Sequence, residues 1–467
     1  MNYLDMKKTT FIITLIFILT CCRDKNNEVE PALLPEENEE LSGGENTVFD
    51  QSANAFALPA PLLSNEEELL FGIGNSFFNL NWVTAPASTT ARDGLGPTFN
   101  SRSCSGCHFR DGRGRPPLFD GEQNHGLLLR LSIIGIGTNG GPNPHPVYGG
   151  QLQNRAIPDF TPEGLFTITY KEIAGEYGDG TPYSLRKPTY HFDELAYGEM
   201  GQVNVSPRVG QQVIGLGMLE AMDESAILSF ADESDLDGDG ISGRANYVWD
   251  AETQTTRLGR FGWKANQPSL FQQTAGAFLG DIGITSSLFT NENCLTQDCF
   301  DLPNGGTPEI DDEELKNVVL YVSSLAVPAR RDHDNQEVLK GKALFENLGC
   351  TKCHIPKMTT GSHEIPALAN QTIRPYSDLL LHDMGEELAD NREDFLATGS
   401  EWRTQPLWGL GLIQTVNEHT FLLHDGRARN IEEAILWHGG EAAEAKNAFK
   451  FLPKEERDRL ILFLESL

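Results

Sequence analysis

The chain has 467 residues and a mass of 51.5 kDa, enough for two or three domains with hydrophobic cores of their own. A hydrophobic content of 39% and a charged content of 22% are typical of folded globular proteins and exclude collagen-like, coiled-coil and porin-like chains. With 36 Lys plus Arg against 67 Asp plus Glu, the net charge is −31, which disfavours nucleic acid as a partner because phosphates would be repelled.

Residues 1–22 are predicted to be a secretion signal. Two lysines precede the apolar run of residues 9–20, which is too short to span a bilayer and ends directly before Cys21 and Cys22. The residues before these cysteines resemble a bacterial lipoprotein processing site, with simple cleavage or an uncleaved anchor as the alternatives. Residues 23–62 are predicted to form an acidic, flexible tether to a membrane. The working domains would then lie outside the cytoplasm, and the protein would be periplasmic or an outer-membrane lipoprotein.

An amphipathic helix over residues 66–72 precedes a Cys-x-x-Cys-His string made of Cys104, Cys107 and His108. In this pattern two thiols on one turn add to the vinyl groups of a haem, and the next residue supplies imidazole to the iron. A thiol-disulfide motif or half of a zinc site is the alternative, but neither a βαβ pattern nor further thiolates accompany the string. The sequence therefore predicts an N-terminal haem domain over residues 63–328.

A long stretch of this domain, residues 111–304, is rich in Gly, Pro and Asp and is predicted to be a loop-rich insertion. Within it, Asp235, Asp237 and Asp239 alternate ahead of a turn glycine, as in the first half of a calcium-binding EF-hand loop. The twelfth position of that loop is Asn246, where an EF-hand has a bidentate glutamate. The pattern is thus compatible with a partial calcium site or with a solvated acidic turn.

Two further cysteines, Cys294 and Cys299, lie in a predicted loop near the end of this insertion, and in an oxidising compartment they are predicted to form a structural disulfide. A helix over residues 311–325 follows, with acidic residues at its start and apolar residues at helical spacing.

A second Cys-x-x-Cys-His string consists of Cys350, Cys353 and His354, and another amphipathic helix, residues 337–345, precedes it. The repeated order of helix and motif indicates an internal repeat. Residues 329–467 are therefore predicted to be a C-terminal cytochrome c-like haem domain. The predicted fold class is mainly α, with two cytochrome c-like haem domains and two covalently bound haem c groups.

Beyond the two motifs, a set of strings resembles the bacterial di-haem cytochrome c peroxidase superfamily, and in particular its di-haem oxidoreductase branch, sometimes labelled thiol oxidoreductase. Their order along the chain carries the resemblance, which extends over nearly all residues after about position 60. The matching strings are residues 94–100, 214–221, 239–244, 260–265, 281–286, 379–385 and 424–428.

For the second haem, the resemblance implies an axial ligand fourteen positions after the histidine of a His-Asp-Gly string. That histidine matches His424, and the ligand position holds His438 where the family has methionine. A second imidazole would lower the potential of this haem relative to a thioether-ligated one. Met384, Met358 or no protein ligand are the alternatives. The resemblance also implies that His382 lies near this haem.

For the first haem, the resemblance implies a Trp, a Gln ten positions later and an acid about twenty positions after the Trp. Trp263 and Gln273 keep the first spacing, and Asp281 is the nearest acid, displaced by two positions and replacing a glutamate. The acid would assist O–O cleavage by moving a proton, and Trp263 would relay electrons between the haems. A core-packing tryptophan and a helix-capping aspartate are the alternatives.

The resemblance implies a di-haem oxidoreductase of peroxidase type, in which the C-terminal haem passes electrons to an N-terminal haem that reduces peroxide. Two other functions stay open. If both irons are six-coordinate, the protein is an electron-transfer cytochrome, and if the substrate differs, it oxidises an organic or thiol compound. A small soluble electron donor of cytochrome c or cupredoxin type is the expected partner, together with a membrane reached by the lipid anchor.

Overall fold

The computed structural model describes residues 32–122, 126–295, 302 and 304–467. Residues Leu34–Leu467 form one compact unit, and the division of the chain near residue 328 stays a prediction. The predicted signal segment, with Cys21 and Cys22, lies outside the described residues. In the described ranges, no helix is both long and apolar enough to cross a membrane.

The described residues form ten α-helices, most of them short, and one π-helical turn, Phe278–Ile282, continues the fourth. The helices are α1 Asn65–Asn79, α2 Leu216–Glu220, α3 Glu224–Leu228, α4 Leu270–Ala277, α5 Asp312–Ser324, α6 Gln336–Asn347, α7 Ile413–Asn417, α8 Ile431–Trp437, α9 Ala443–Phe451 and α10 Lys454–Ser466.

The strands of the described residues are β1 Thr47–Val48, β2 Thr98–Phe99, β3 Leu127–Ser132, β4 Arg155–Ala156, β5 Leu165–Glu176, β6 Pro182–Asp193, β7 Asn204–Val209, β8 Tyr247–Asp250, β9 Thr255–Leu258, β10 Val327–Pro328, β11 Met358–Thr359, β12 Thr372–Ile373, β13 Leu381–Asp383 and β14 Glu401–Arg403. They pair in two-stranded ladders. The pair of β1 with β10 is parallel. The other described pairs are β2 with β4, β3 with β7, β5 with β6, β8 with β9, β11 with β12 and β13 with β14, all antiparallel.

The prediction of a mainly α fold is wrong, because the structure is 29% helix and 19% strand. Much of the strand content comes from the insertion, residues 111–304, where β5 and β6 pair along twelve residues each. Sequence analysis missed this hairpin because the Gly, Pro and Asp content of residues 111–304 indicated loops. The start of β5 does alternate apolar and polar residues, and Phe166 and Ile168 pack against buried clusters, as in a half-buried strand.

Part of the segment predicted as a tether, residues 23–62, packs against the rest of the unit. Phe56 is fully buried, and Glu39 is buried where it pairs with Arg330 and with Lys342. Strand β1 pairs with β10 close to these contacts. At least one of the acidic residues that suggested a solvated linker, Glu39, is therefore buried in ion pairs with the rest of the unit.

A glycine allows the crossing of α1 and α5. Gly74 of α1 lies against the backbone of Asn317 in α5, so that a Cβ at position 74 would clash with the Asn317 carbonyl oxygen. This close approach brings Phe78 onto Tyr321, with ring centroids 5.2 Å apart. The Phe78 ring also lies 6.2 Å from the ring of His108. The crossing thus places an aromatic side chain against the first predicted haem histidine.

The same arrangement recurs where α6 crosses α10. A Cβ at Gly341 of α6 would clash with the carbonyl oxygen of Arg459 in α10. Phe345, one turn after the glycine, lies 5.2 Å from Phe463 and 6.1 Å from the ring of His354. In both halves of the chain, therefore, a glycine at a helix crossing allows a phenylalanine ring to pack near the histidine of the Cys-x-x-Cys-His motif.

We expect Gly74→Ala to lower the free energy of unfolding by about 1–3 kcal/mol, because the added methyl group forces α1 and α5 apart. Gly72→Ala is the matched control on the same helix, since a Cβ there meets no atom within 4 Å. Alanine should raise stability at this exposed site by up to about 1 kcal/mol. Denaturant unfolding of the purified holoprotein measures both changes, and equal effects of the two substitutions would contradict the role given to Gly74.

Candidate functional site

The first Cys-x-x-Cys-His string folds as a tight turn, Cys104–Gly106. The backbone N–H groups of Cys107 and His108 both donate to the carbonyl oxygen of Cys104, at 3.1 and 2.9 Å. Both thiols are free. Burial, followed by the negative charge of Asp281, raises the pKa of both thiols, that of Cys107 to about 12. The turn therefore presents two un-ionised thiols beside a histidine.

His108 is held by the segment that follows β7. Its Nδ1 donates to the carbonyl oxygen of Gln211 at 2.6 Å, and a Cβ at Gly210 would lie 3.0 Å from its Cε1 atom. Burial lowers the pKa of His108, which favours the neutral imidazole. With Nδ1 occupied in this way, Nε2 is the atom available to a metal, and such a carbonyl bond is the usual support of a metal-bound histidine.

The second string has the same form. The turn Cys350–Lys352 is closed by the His354 N–H, which donates to the Cys350 carbonyl oxygen at 3.0 Å. His354 Nδ1 donates to the carbonyl oxygen of Tyr376 at 2.9 Å. Burial lowers the pKa of His354 to about 4 and raises that of the Cys350 thiol to about 12. This motif therefore also offers a free Nε2 and an un-ionised thiol.

His438 follows the last residue of α8 and is half-buried against it. Its Nδ1 donates to the carbonyl oxygen of Ala434 at 2.7 Å, and burial lowers its pKa. Its charge would also lower the pKa of His354, so the two imidazoles interact electrostatically. Of the two alternative ligands, Met384 packs in the same hydrophobic cluster as Cys350, whereas Met358 belongs to a different cluster. The choice of sixth ligand stays a prediction.

These residues fit two haem groups. Four free thiols lie in two identical turns, and His108, His354 and His438 each hold Nδ1 on a backbone carbonyl, which leaves Nε2 for iron. A zinc site would need more ligands than two thiols and one imidazole, and among the described residues the His, Cys, Asp and Glu side chains close enough to share an ion are those of the acidic loop, Asp232, Asp235 and Asp237. The donor set of the two turns matches haem bound through thioethers and imidazole.

Trp263 lies between the first motif and the C-terminal half of the chain. Its indole N–H donates to the carbonyl oxygen of Val209 at 2.9 Å, and Val209 is two residues before Gln211, which holds His108. The N–H of Val209 in turn donates to the carbonyl oxygen of His424 at 2.7 Å. Residues 209–211 therefore connect the first histidine, Trp263 and the His424 loop.

An aromatic stack continues from Trp263 into the C-terminal half. The rings of Trp263 and His424 are 6.5 Å apart and perpendicular, and His424 stacks on Trp402 with centroids 3.9 Å apart. Trp402 packs in one cluster with Trp263, and Met384 lies against that cluster. Sequence reasoning missed Trp402, because nothing in its local sequence distinguishes it from a core-packing tryptophan.

Asp281 lies in the π-helical turn, half-buried, beside the first motif. Its backbone carbonyl accepts from the N–H groups of Asn100 and Ser101 at 2.9 and 3.0 Å, and its Oδ1 accepts from Gln151 Nε2 at 2.8 Å. Its charge acts on both thiols of the motif and on His108. The structure thus brings Asp281 close to the first motif, while its catalytic role stays a prediction.

Gln273 lies half-buried on α4. The side chain of the neighbouring Gln272 is the one that makes hydrogen bonds to the surrounding structure. It accepts from the Ala251 N–H and donates to the Trp249 carbonyl oxygen and to Gln267 Oε1. In the described part of the chain, no hydrogen bond joins Gln273 to Asp281. A shared site for these two predicted residues therefore has no support from their contacts.

His382 is buried between two carboxylates next to the second motif. Its Nε2 lies 2.8 Å from Asp378 Oδ2, its Nδ1 lies 2.8 Å from Glu441 Oε2, and Cys353 Sγ is 3.5 Å from the same Nδ1. These hydrogen bonds outweigh burial and raise the pKa of His382 well above its usual value. A charged imidazolium next to the Cys353 thiol follows. The local sequence could not predict the contact of Glu441 with His382, because the two residues are 59 positions apart.

The acidic loop groups three carboxylates, those of Asp232, Asp235 and Asp237, within reach of one cation. Asp239, predicted as a calcium ligand with Asp235 and Asp237, instead pairs with Lys352 of the second motif at 3.0 Å. The lysine charge competes for this carboxylate, and sequence spacing within the loop could not reveal a partner over one hundred residues away. Calcium binding stays a prediction.

Cys294 is buried and disulfide-bonded, whereas Cys299, its predicted partner, lies outside the described residues.

Comparison with known proteins gives one family for nearly the whole chain. No curated protein matches it. The family whose model matches is described as "Di-haem oxidoreductase, putative peroxidase", and the match covers residues 37–467. This family implies two haems, in agreement with the two turns and three supported histidines described above. The chain belongs to the di-haem oxidoreductase family.

Proposed function

We propose that the protein is an extracytoplasmic di-haem peroxidase whose two haems are attached covalently through the two Cys-x-x-Cys-His turns. Electrons enter at the second haem, bound by His354 and His438, and pass to the first haem, bound by His108, where peroxide is reduced. A lipid on Cys21 or Cys22 attaches the protein to a membrane.

The observation that carries this proposal is the short connection between the two sites. Residues 209–211 bind both His108 and Trp263, and the ring of Trp263 approaches the stacked pair of His424 and Trp402. Indole and imidazole rings thus lie along a route by which an electron could pass from one half of the chain to the other. This route supports electron transfer between the two sites.

Reduction of one hydrogen peroxide to two waters consumes two electrons and two protons. The haem, when bound, supplies the redox chemistry, and the protein must manage the protons. Asp281 would take a proton from one peroxide oxygen and return it to the other, which is general acid-base assistance to O–O cleavage. Its location beside the first motif and its fixed backbone favour this role.

A small soluble protein of cytochrome c or cupredoxin type is the proposed electron donor. The net charge of −31 favours a basic partner, because opposite charges steer diffusional encounter. Association should accordingly weaken as ionic strength rises.

An optical and electron-paramagnetic titration of the holoprotein, with and without hydrogen peroxide, tests the function. A high-spin ferric signal at rest or after half-reduction, lost on addition of peroxide, supports the peroxidase. Two low-spin signals that do not respond to peroxide would indicate an electron-transfer cytochrome. Consumption of thiols without peroxide turnover would indicate an oxidase of thiol substrates.

We expect both haems to remain with the polypeptide after acid-acetone extraction, because thioether bonds survive this treatment. The intact mass should exceed that of the processed chain by two haems. Replacing Cys350 and Cys353 by alanine should remove one haem from this mass and leave the first. Zinc or iron–sulfur stoichiometry would contradict the assignment.

We expect His438→Met to raise the midpoint potential of the second haem by on the order of 100 mV, within the ~0.8 V range that axial ligands span. A thioether stabilises ferrous iron better than a second imidazole does. Potentiometric titration measures the change, with Met384→Leu as the control for the alternative ligand. An unchanged potential in His438→Met, or a larger change in Met384→Leu, would assign the ligand elsewhere.

We expect Asp281→Asn to slow peroxide cleavage by ~10² to 10⁴-fold, the range for loss of a general acid-base group. Asparagine can still accept the hydrogen bond of Gln151 but cannot take up and return a proton. Haem content and both spectra should stay unchanged. Asp281→Glu keeps the carboxyl group and should retain more activity in stopped-flow measurements; wild-type kinetics in Asp281→Asn would contradict the role.

A further inference from the structure

Gln151, outside both haem motifs, reaches the carboxylate of Asp281. Its Nε2 lies 2.8 Å from Asp281 Oδ1, 2.9 Å from the Gly280 carbonyl oxygen and 2.6 Å from Asn100 Oδ1. We infer that Gln151 is the positioning residue of the first site, which orients the Asp281 carboxylate for proton transfer. This inference rests on the proposed peroxidase function and adds a residue to its machinery.

The side-chain amide nitrogen of Gln151 has fewer hydrogens to donate than there are acceptor oxygens around it. Nε2 carries two hydrogens and faces three oxygen atoms, those of Asn100, Gly280 and Asp281. A hydrogen bond to a charged oxygen is stronger than one to a neutral oxygen, so the ionised Asp281 has the advantage in this competition. Gln151 is therefore held on the Asp281 carboxylate in preference to its two neutral acceptors.

The surroundings of Gln151 prevent its side chain from moving away. Gln151 is 5% exposed, and its backbone bridges to Arg130, whose pKa responds to the charge of Asp281. Asn100 is fixed as well, because its Nδ2 donates to the Leu152 carbonyl oxygen at 2.8 Å and its N–H binds the Asp281 carbonyl. Both the backbone and the side chain of Asp281 are thus held from residues 100 and 151.

Gln153 provides a matched comparison in the same segment. It is 1% exposed, and its Nε2 donates to the same Gly280 carbonyl oxygen at 2.8 Å. In the part of the chain that the structure describes, it has no hydrogen bond to Asp281. Loss of either glutamine removes a bond to Gly280, and only the loss of Gln151 removes a bond to the carboxylate.

The test compares Gln151→Met with Gln153→Met in the holoprotein, since methionine keeps the length of the side chain and lacks N–H donors. We expect the first-order rate of peroxide cleavage to fall about 10- to 100-fold in Gln151→Met, as for a slightly misplaced catalytic group, and to stay near wild type in Gln153→Met. Cyanide binding, which needs only access to the iron, should be equal in both. Gln151→Glu, nearly isosteric, replaces the Met variant if that variant does not fold.

A double-mutant cycle separates positioning from general support of the fold. If Gln151 acts through Asp281, adding Gln151→Met to Asp281→Asn should cause no further loss of rate. Equal losses in the two glutamine variants, or a full additional loss in the double variant, would overturn the inference.

Infrared difference spectra make the result independent of the proposed function. The carboxylate band of Asp281, identified by its loss in Asp281→Asn, should shift in Gln151→Met and stay in place in Gln153→Met. If Asp281→Asn has wild-type peroxide kinetics while the band still shifts, the acid-base role fails and the positioning contact stands. An unshifted band in Gln151→Met would overturn the contact itself.

Discussion

The arrangement of both sites depends on three consecutive residues, Val209, Gly210 and Gln211. Their backbone supplies the carbonyl oxygen that holds His108, the close contact with its ring, and the carbonyl oxygen that holds Trp263. Because these atoms belong to one short stretch of backbone, the orientation of the first imidazole and that of the indole are fixed together. The six-residue pairing of β3 with β7 ends at this stretch and gives it a rigid base.

A buried charge anchors Trp263 from its other side. The next residue, Lys264, is fully buried, and its Nζ donates to Asp390 Oδ1, the Arg392 carbonyl oxygen and the Thr398 carbonyl oxygen, each at 2.8 Å. An ammonium group with three acceptors is satisfied in a low-dielectric interior, whereas removal of one partner would leave a charge buried without compensation. Such a fully bonded charge favours one packing arrangement over its alternatives. The position of the indole between the two halves is therefore set by hydrogen bonds as well as by packing.

The parts of the site that the sequence could predict are those encoded within a few residues. Each Cys-x-x-Cys-His string folds as one short turn, so both motifs could be recognised directly from the sequence. The strand content was missed because the Gly, Pro and Asp content of residues 111–304 indicated loops, although the start of β5 alternates apolar and polar residues. Contacts such as Gln151 with Asp281 and Lys352 with Asp239 join residues over one hundred positions apart, and only the folded chain brings them together. Among the predicted calcium ligands, Asp239 therefore has a partner that its local sequence could not reveal.

The two Cys-x-x-Cys-His motifs share a helix crossing but differ in how the histidine is supported. The carbonyl that holds His354 belongs to Tyr376, 22 residues away, whereas the carbonyl that holds His108 belongs to Gln211, 103 residues away. Loop-closure entropy rises slowly with loop length, so the longer connection costs little extra stability. It has one structural consequence, because the side chain of Gln211 also binds Gln405 in the C-terminal half. A displacement near Gln405 would thus reach the Nδ1 hydrogen bond of His108, which tunes the basicity of the iron ligand. The support of His354 comes instead from a residue 22 positions away in the same half of the chain.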